Sequence, residues 1–120
     1  MSKAAFSVFV FSFYLFALGS ILVVIPNVLL SVFRIQETNE VWVRVVGMLV
    51  LILGFYYSTA ARNELTPFLR ATVYGRCAVL VFFIAFVGLS FAPPILVLFG
   101  VVDAVAATWT AAALRAEPRI

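Results

Sequence analysis

The stretch AAFSVFVFSFYLFALGSILVVIPNVLLSVF, residues 4–33, carries no charged side chain. A helix needs about 20 apolar residues to cross the hydrocarbon core of a bilayer. At ~1.5 Å per residue this run would extend for about 44 Å, more than a ~30 Å core requires. It must tilt or bend. Pro26 marks the bend, because its ring carries no N–H for the helical ladder. Residues 27–33 would then lie partly along the interface. A single lysine, Lys3, precedes the run, and no small-residue cleavage site closes a short apolar core. It therefore reads as a retained helix and not as a signal peptide.

Three further runs have the same character, at about residues 40–61, 67–90 and 93–115. Thr38 and Asn39 precede the second as N-caps. Thr66-Pro67 opens the third as cap and first turn, and proline opens the fourth. The connections, residues 34–39, 62–66 and 91–92, are short, which forces sequential helices antiparallel. Residues 1–120 form one transmembrane domain, with no room for an extramembrane one. Composition agrees: the chain is 66% hydrophobic and 11% charged, where soluble proteins are near half apolar and about a quarter charged. The expected fold is all-α, an up-down four-helix transmembrane bundle.

Basic residues near span ends set orientation. Lys3, Arg62, Arg70, Arg115 and Arg119 fall on one side; Arg34 and Arg44, beside Glu37 and Glu40, fall on the other. The first side is expected to be cytoplasmic, with both termini inside. Trp42 and Trp109 fall near opposite faces, as interfacial anchors do. The net charge of +3 contains no basic run of the kind that binds nucleic acid.

Asp103 is the only acidic residue inside an apolar run. A lone carboxylate at mid-bilayer depth is expensive unless a partner offsets it. Asp103 lies about 15 Å below one face and Arg76 about 13.5 Å from the other, so across a ~30 Å core their heights nearly coincide. Arg76–Asp103 is therefore the expected buried ion pair. It reads either as a lock between the third and fourth helices or as a proton, ion or substrate site. Arg44, about 6 Å below the outer face, either snorkels to headgroups or reaches down to Asp103, giving a pocket for a small anion.

Gly100, Ala104, Ala107, Thr110 and Ala111 share the Asp103 face, and such small residues let helices approach closely. Arg44 shares a face with Gly47, Leu51, Gly54 and Ser58, and Arg76 shares one with Thr72, Leu80 and Phe83. The candidate polar site comprises Asp103, Arg76, Arg44, Thr72, Tyr74 and Thr110. Tyr14, Tyr56 and Tyr57 are expected to border its inner half. Ser20, Asn27 and Ser31 share one face of the first run and are read as helix–helix hydrogen-bonding groups. Cys77 is read as a small buried apolar side chain. The many phenylalanines of the first run point to several faces, toward lipid or another subunit.

Much chemistry lacks its residues. There is no histidine and one cysteine, hence no activated nucleophile of the usual kind, no Cys-x-x-Cys and no ordinary zinc or haem ligand set. No carboxylate pair and no glycine-rich phosphate loop occurs. No enzyme activity, metal or cofactor is expected. The run Trp42-Val43-Arg44-Val45-Val46-Gly47, with Gly54 one heptad on and an arginine in the third span, resembles small bacterial four-helix membrane proteins of the DoxX-like kind. That resemblance implies a bacterial inner-membrane bundle and no particular activity. The expected function is a subunit or scaffold within a membrane complex or homo-oligomer. The alternative is a carrier, channel or binder of a small anionic or apolar ligand.

Overall fold

The computed structural model describes residues 1–116; Arg119 lies outside them. It is all-helical: α1 spans Lys3–Val24, α2 Pro26–Val32, α3 Val41–Arg62, α4 Thr66–Gly88 and α5 Leu96–Ala116. Four of these, α1, α3, α4 and α5, are long and apolar enough to cross a membrane. The described chain measures 50 × 29 × 19 Å along its principal axes.

The expected bend falls where proline dictates. α1 stops at Val24, Ile25 leaves helical geometry at φ −136° and ψ 58°, and Pro26 starts α2. Thr38 and Asn39 do not cap α3. Glu40 is its N-cap residue and uses no side chain, while the Thr38 hydroxyl accepts the Glu40 N–H at 3.1 Å. Likewise Thr66 lies inside α4, whose N-cap is Leu65. α5 begins at Leu96, three residues after Pro93, because residues 93–95 form turns that bond forward to residues 96–98.

Three helices end in the same turn. After α2, α3 and α4, the residues Arg34, Glu64 and Ser90 adopt positive φ, at 57°, 53° and 63°. In each, the next amide reaches back to the third-last helical carbonyl: Ile35 to Leu30, Leu65 to Ala60 and Phe91 to Phe86. This is the Schellman arrangement, which favours glycine at the left-handed position. None of the three positions holds glycine here.

The helices pair α1 with α3 and α4 with α5, and the pairs join through α1 and α5. The first pair is drawn together by glycine. A Cβ on Gly19 would stand 2.9 Å from the Gly47 carbonyl oxygen, and one on Gly47 would stand 3.0 Å from that of Gly19. The backbones touch there, as small-residue packing in membranes permits. Gly54 faces Phe16 and Leu15, and Gly100 faces the Leu80 backbone in the second pair. An evenly closed up-down ring is not what forms: α3 and α4, although consecutive, touch little. Their contact gathers near the 63–65 turn, where Ala4, Ala5, Val8, Ala60, Ala61, Leu69 and Ala113 form the apolar core.

The N-terminus and the Ala116 end of α5 lie at that end of the bundle. Glu64 accepts the Ser2 N–H at 2.5 Å and stands 3.9 Å from the terminal ammonium. At the other end the Phe33 ring, just after α2, meets that of Phe99 in the first turn of α5, with ring centres 5.0 Å apart.

Candidate functional site

Arg76 lies in the middle of α4 and is 2% exposed. Burying a guanidinium demands hydrogen-bond acceptors for its fixed fork of donors. Nε donates to the Thr72 carbonyl at 3.1 Å, and Nη2 donates to the hydroxyls of Thr72 and Thr110, both at 3.0 Å. The Thr110 and Ser7 hydroxyls are 2.6 Å apart. Thr110 also has the Ala106 carbonyl at 3.2 Å, and Ser7 donates to the Ala4 carbonyl at 2.7 Å. The guanidinium carbon stands 5.0 Å from the centre of the Phe11 ring, a cation–π contact strengthened by the absence of water. One network thus ties α4 to α5 and α5 to α1. Arg76 Nη1 remains buried without a hydrogen-bond acceptor among the described residues.

Three of the expected site residues, Arg76, Thr72 and Thr110, are therefore together and buried. Asp103 is not bonded to them. It is half-buried, and among the described residues it makes neither a hydrogen bond nor an ion pair. It remains close enough to Arg76 for their charges to interact. The expected direct Arg76–Asp103 pair is thus replaced by a hydroxyl cluster. Helical side chains lean toward the N-terminus of their own helix. Arg76 folds back one turn onto Thr72, away from the level of Asp103. Thr110, seven residues and about 10 Å further along α5, lies in that direction.

Arg44 takes neither of its expected courses. Its Nη1 donates to the Val23 carbonyl, with that of Val24 at 3.4 Å. These carbonyls close α1 just before Pro26, where the helical ladder is interrupted, so Arg44 caps the broken end. Tyr74 is 74% exposed and does not border the site. It lies two residues from both Thr72 and Arg76, which turns it to the far side of α4. Cys77 is exposed and not buried. The tyrosines divide: Tyr14 and Tyr57 are half-buried, whereas Tyr56 is exposed. Asn27 and Ser31 bond the following connection instead of another long helix. Asn27 Oδ1 accepts the Thr38 N–H at 2.9 Å, and Ser31 donates to Glu37 at 2.5 Å. Ser20 is exposed.

Sequence reasoning passed over Ser7 and counted Phe11 among the phenylalanines facing lipid or another subunit, whereas Phe11 is buried against Arg76. Both are signalled by spacing, since Ala4, Ser7, Val8, Phe11, Ser12 and Leu15 recur at three- and four-residue intervals and all are buried. Chemically, the arrangement supplies a clamped cation, a hydroxyl chain and a separate carboxylate. No protein-family model matches the chain, and neither curated proteins nor solved structures match it significantly.

Proposed function

We propose that the protein is a small non-enzymatic subunit of a larger membrane assembly, formed with other membrane chains or further copies of itself. Asp103 carries this reading. It is a mid-span carboxylate, half-buried, for which the described residues supply no hydrogen-bond donor. Such a group is costly in hydrocarbon and calls for a donor from outside the chain. Interhelical polar contacts between chains are an effective means of association in membranes. Both termini and the 63–65 turn are proposed to face the cytoplasm, on the ground of Lys3, Arg62, Arg70 and Arg115 at that end. The DoxX-like resemblance agrees with a bacterial inner-membrane location.

The test is isolation in mild detergent from the native membrane. Wild type should run as a complex, and Asp103→Leu should run as the folded single chain with unchanged helix content. A wild-type protein that is monomeric and free of partners overturns the reading. A second reading has its own support, in that Arg76 Nη1 is buried without an acceptor among the described residues. There the site binds or carries a small solute or ion. Asp103→Asn would then abolish flux in proteoliposomes while leaving assembly intact. For orientation, a cysteine placed near residue 116 in a Cys77→Ala background should resist an impermeant thiol reagent in intact cells.

A further inference from the structure

Between α1 and α5, at the end that holds the N-terminus, lies a groove of about 570 Å³. Its walls include Phe6, Trp109, Ala112 and Ala113, and Ser2 and Lys3 stand at its rim. Phe6 and Trp109 meet edge to face, with ring centres 6.2 Å apart. They are 52% and 45% exposed, so the groove keeps an aromatic wall uncovered. Its floor is small because Ala112 and Ala113 contribute only methyl groups. Lys3 makes no hydrogen bond or ion pair among the described residues. Glu64, the acidic group nearby, is already engaged by the Ser2 N–H and the terminal ammonium. The rim therefore offers one uncommitted cation above an apolar, aromatic slot.

That combination has a definite chemical complement. Tryptophan settles at the level of glycerol and headgroups. A basic residue beside it favours a phosphate over a zwitterionic surface. The slot runs along the membrane-spanning helices below the lysine, where an acyl chain lies. We propose that the α1–α5 groove holds one anionic glycerophospholipid, with its phosphate at Lys3 and the start of an acyl chain against Phe6 and Trp109. The site is separate from Asp103 and depends only on the membrane-spanning character of the helices.

The protein has two tryptophans, and Trp42 lies on α3 at the opposite end. In a Trp42→Phe variant, Trp109 is the sole indole reporter. The variant is reconstituted into vesicles of fixed phosphatidylglycerol and phosphatidylcholine content, with bromine carried on the acyl chains of one lipid or the other. Surface potential is then identical in the two samples. Brominated phosphatidylglycerol should quench Trp109 with an apparent association constant about fivefold higher than brominated phosphatidylcholine, the ratio expected of one basic residue. Lys3→Gln should bring the ratio to near unity, and Lys3→Arg should preserve it. Ala112→Leu, which fills the slot without changing charge, should also lower it. Equal quenching by the two lipids overturns the proposal, as does a preference that survives Lys3→Gln.

Discussion

The two ends of the bundle are built differently. At the end holding the N-terminus, all four long helices meet around Ala5, Val8, Ala61, Leu69 and Ala113, and the Arg76–Thr110–Ser7 network sits directly above them. Beyond Arg76, no residue of α4 is buried, and that half of the helix packs on α5 through Gly100. The α1–α3 pair stays tight at the far end, through Gly19 and Gly47, but nothing comparable draws it to α4. Hydrocarbon solvent explains the contrast. Lipid tails are as apolar as leucine, so greasy side chains alone give helices no reason to associate. Cohesion appears where hydroxyls bond across helices or where missing side chains let backbones touch.

Five experiments sharpen that contrast. The largest effect is expected from Gly47→Leu, since even a Cβ there would lie 2.9 Å from the Val23 amide nitrogen and 3.0 Å from the Gly19 carbonyl. Backbone cannot step aside as a side chain does, so a loss of about 3 kcal/mol is expected in detergent unfolding. Thr110→Val keeps the shape but removes the hydroxyl that accepts from Arg76 and bonds with that of Ser7. It should cost about 2 kcal/mol, the penalty for buried donors left unsatisfied. An unchanged midpoint would show that the network does not hold the near end together.

Ser90→Gly should act in the opposite direction. It relieves a left-handed residue at the loose end and should stabilise by about 1 kcal/mol. Glu64→Gly relieves the same geometry at the tight end but also deletes the clamp on Ser2, so it should gain less.

The smallest effect is local and depends on pH. The Ser2 amide bond holds the Glu64 carboxyl below its ordinary value of 4.5, and the terminal ammonium adds to this. A carboxyl whose folded value is depressed stabilises the fold above its unfolded value. That contribution is lost as pH falls through the lower folded value. Protection of the Ser2 amide, its exchange measured against the intrinsic rate at each pH, should therefore fall on acidification below 4.5, the ordinary value. Glu64→Gln should remove the dependence.

Much of the architecture was legible in residue order. The four apolar runs, the break at Pro26 and the inward faces bearing Gly47, Gly54, Thr72, Arg76, Gly100 and Thr110 all follow from hydropathy and from three- and four-residue spacing. The partner of Arg76 did not. Height arithmetic treats a side chain as a point at its Cα, whereas arginine reaches a full turn backwards along its helix. Asp103 matched Arg76 in height, and Thr110 matched where the guanidinium goes. Tyr74 was a simpler error, because a residue two positions from Thr72 and from Arg76 cannot share their face. The role of Arg44 depended on seeing that a proline break in one helix creates acceptors for its neighbour. Span assignment identifies the break but not which side chain answers it.

The Arg76 network also bears on how the chain is made. Arg76 enters the bilayer on α4, before α5 has been synthesised, with the Thr72 carbonyl and hydroxyl as its own-helix acceptors. Ser7, on α1, waits longer still, bonded to the Ala4 carbonyl of its own turn. Thr110 arrives later, with α5, and engages both. A nascent chain halted before Thr110 would hold a guanidinium short of an acceptor, so α5 acts as the keystone that closes the earlier helices.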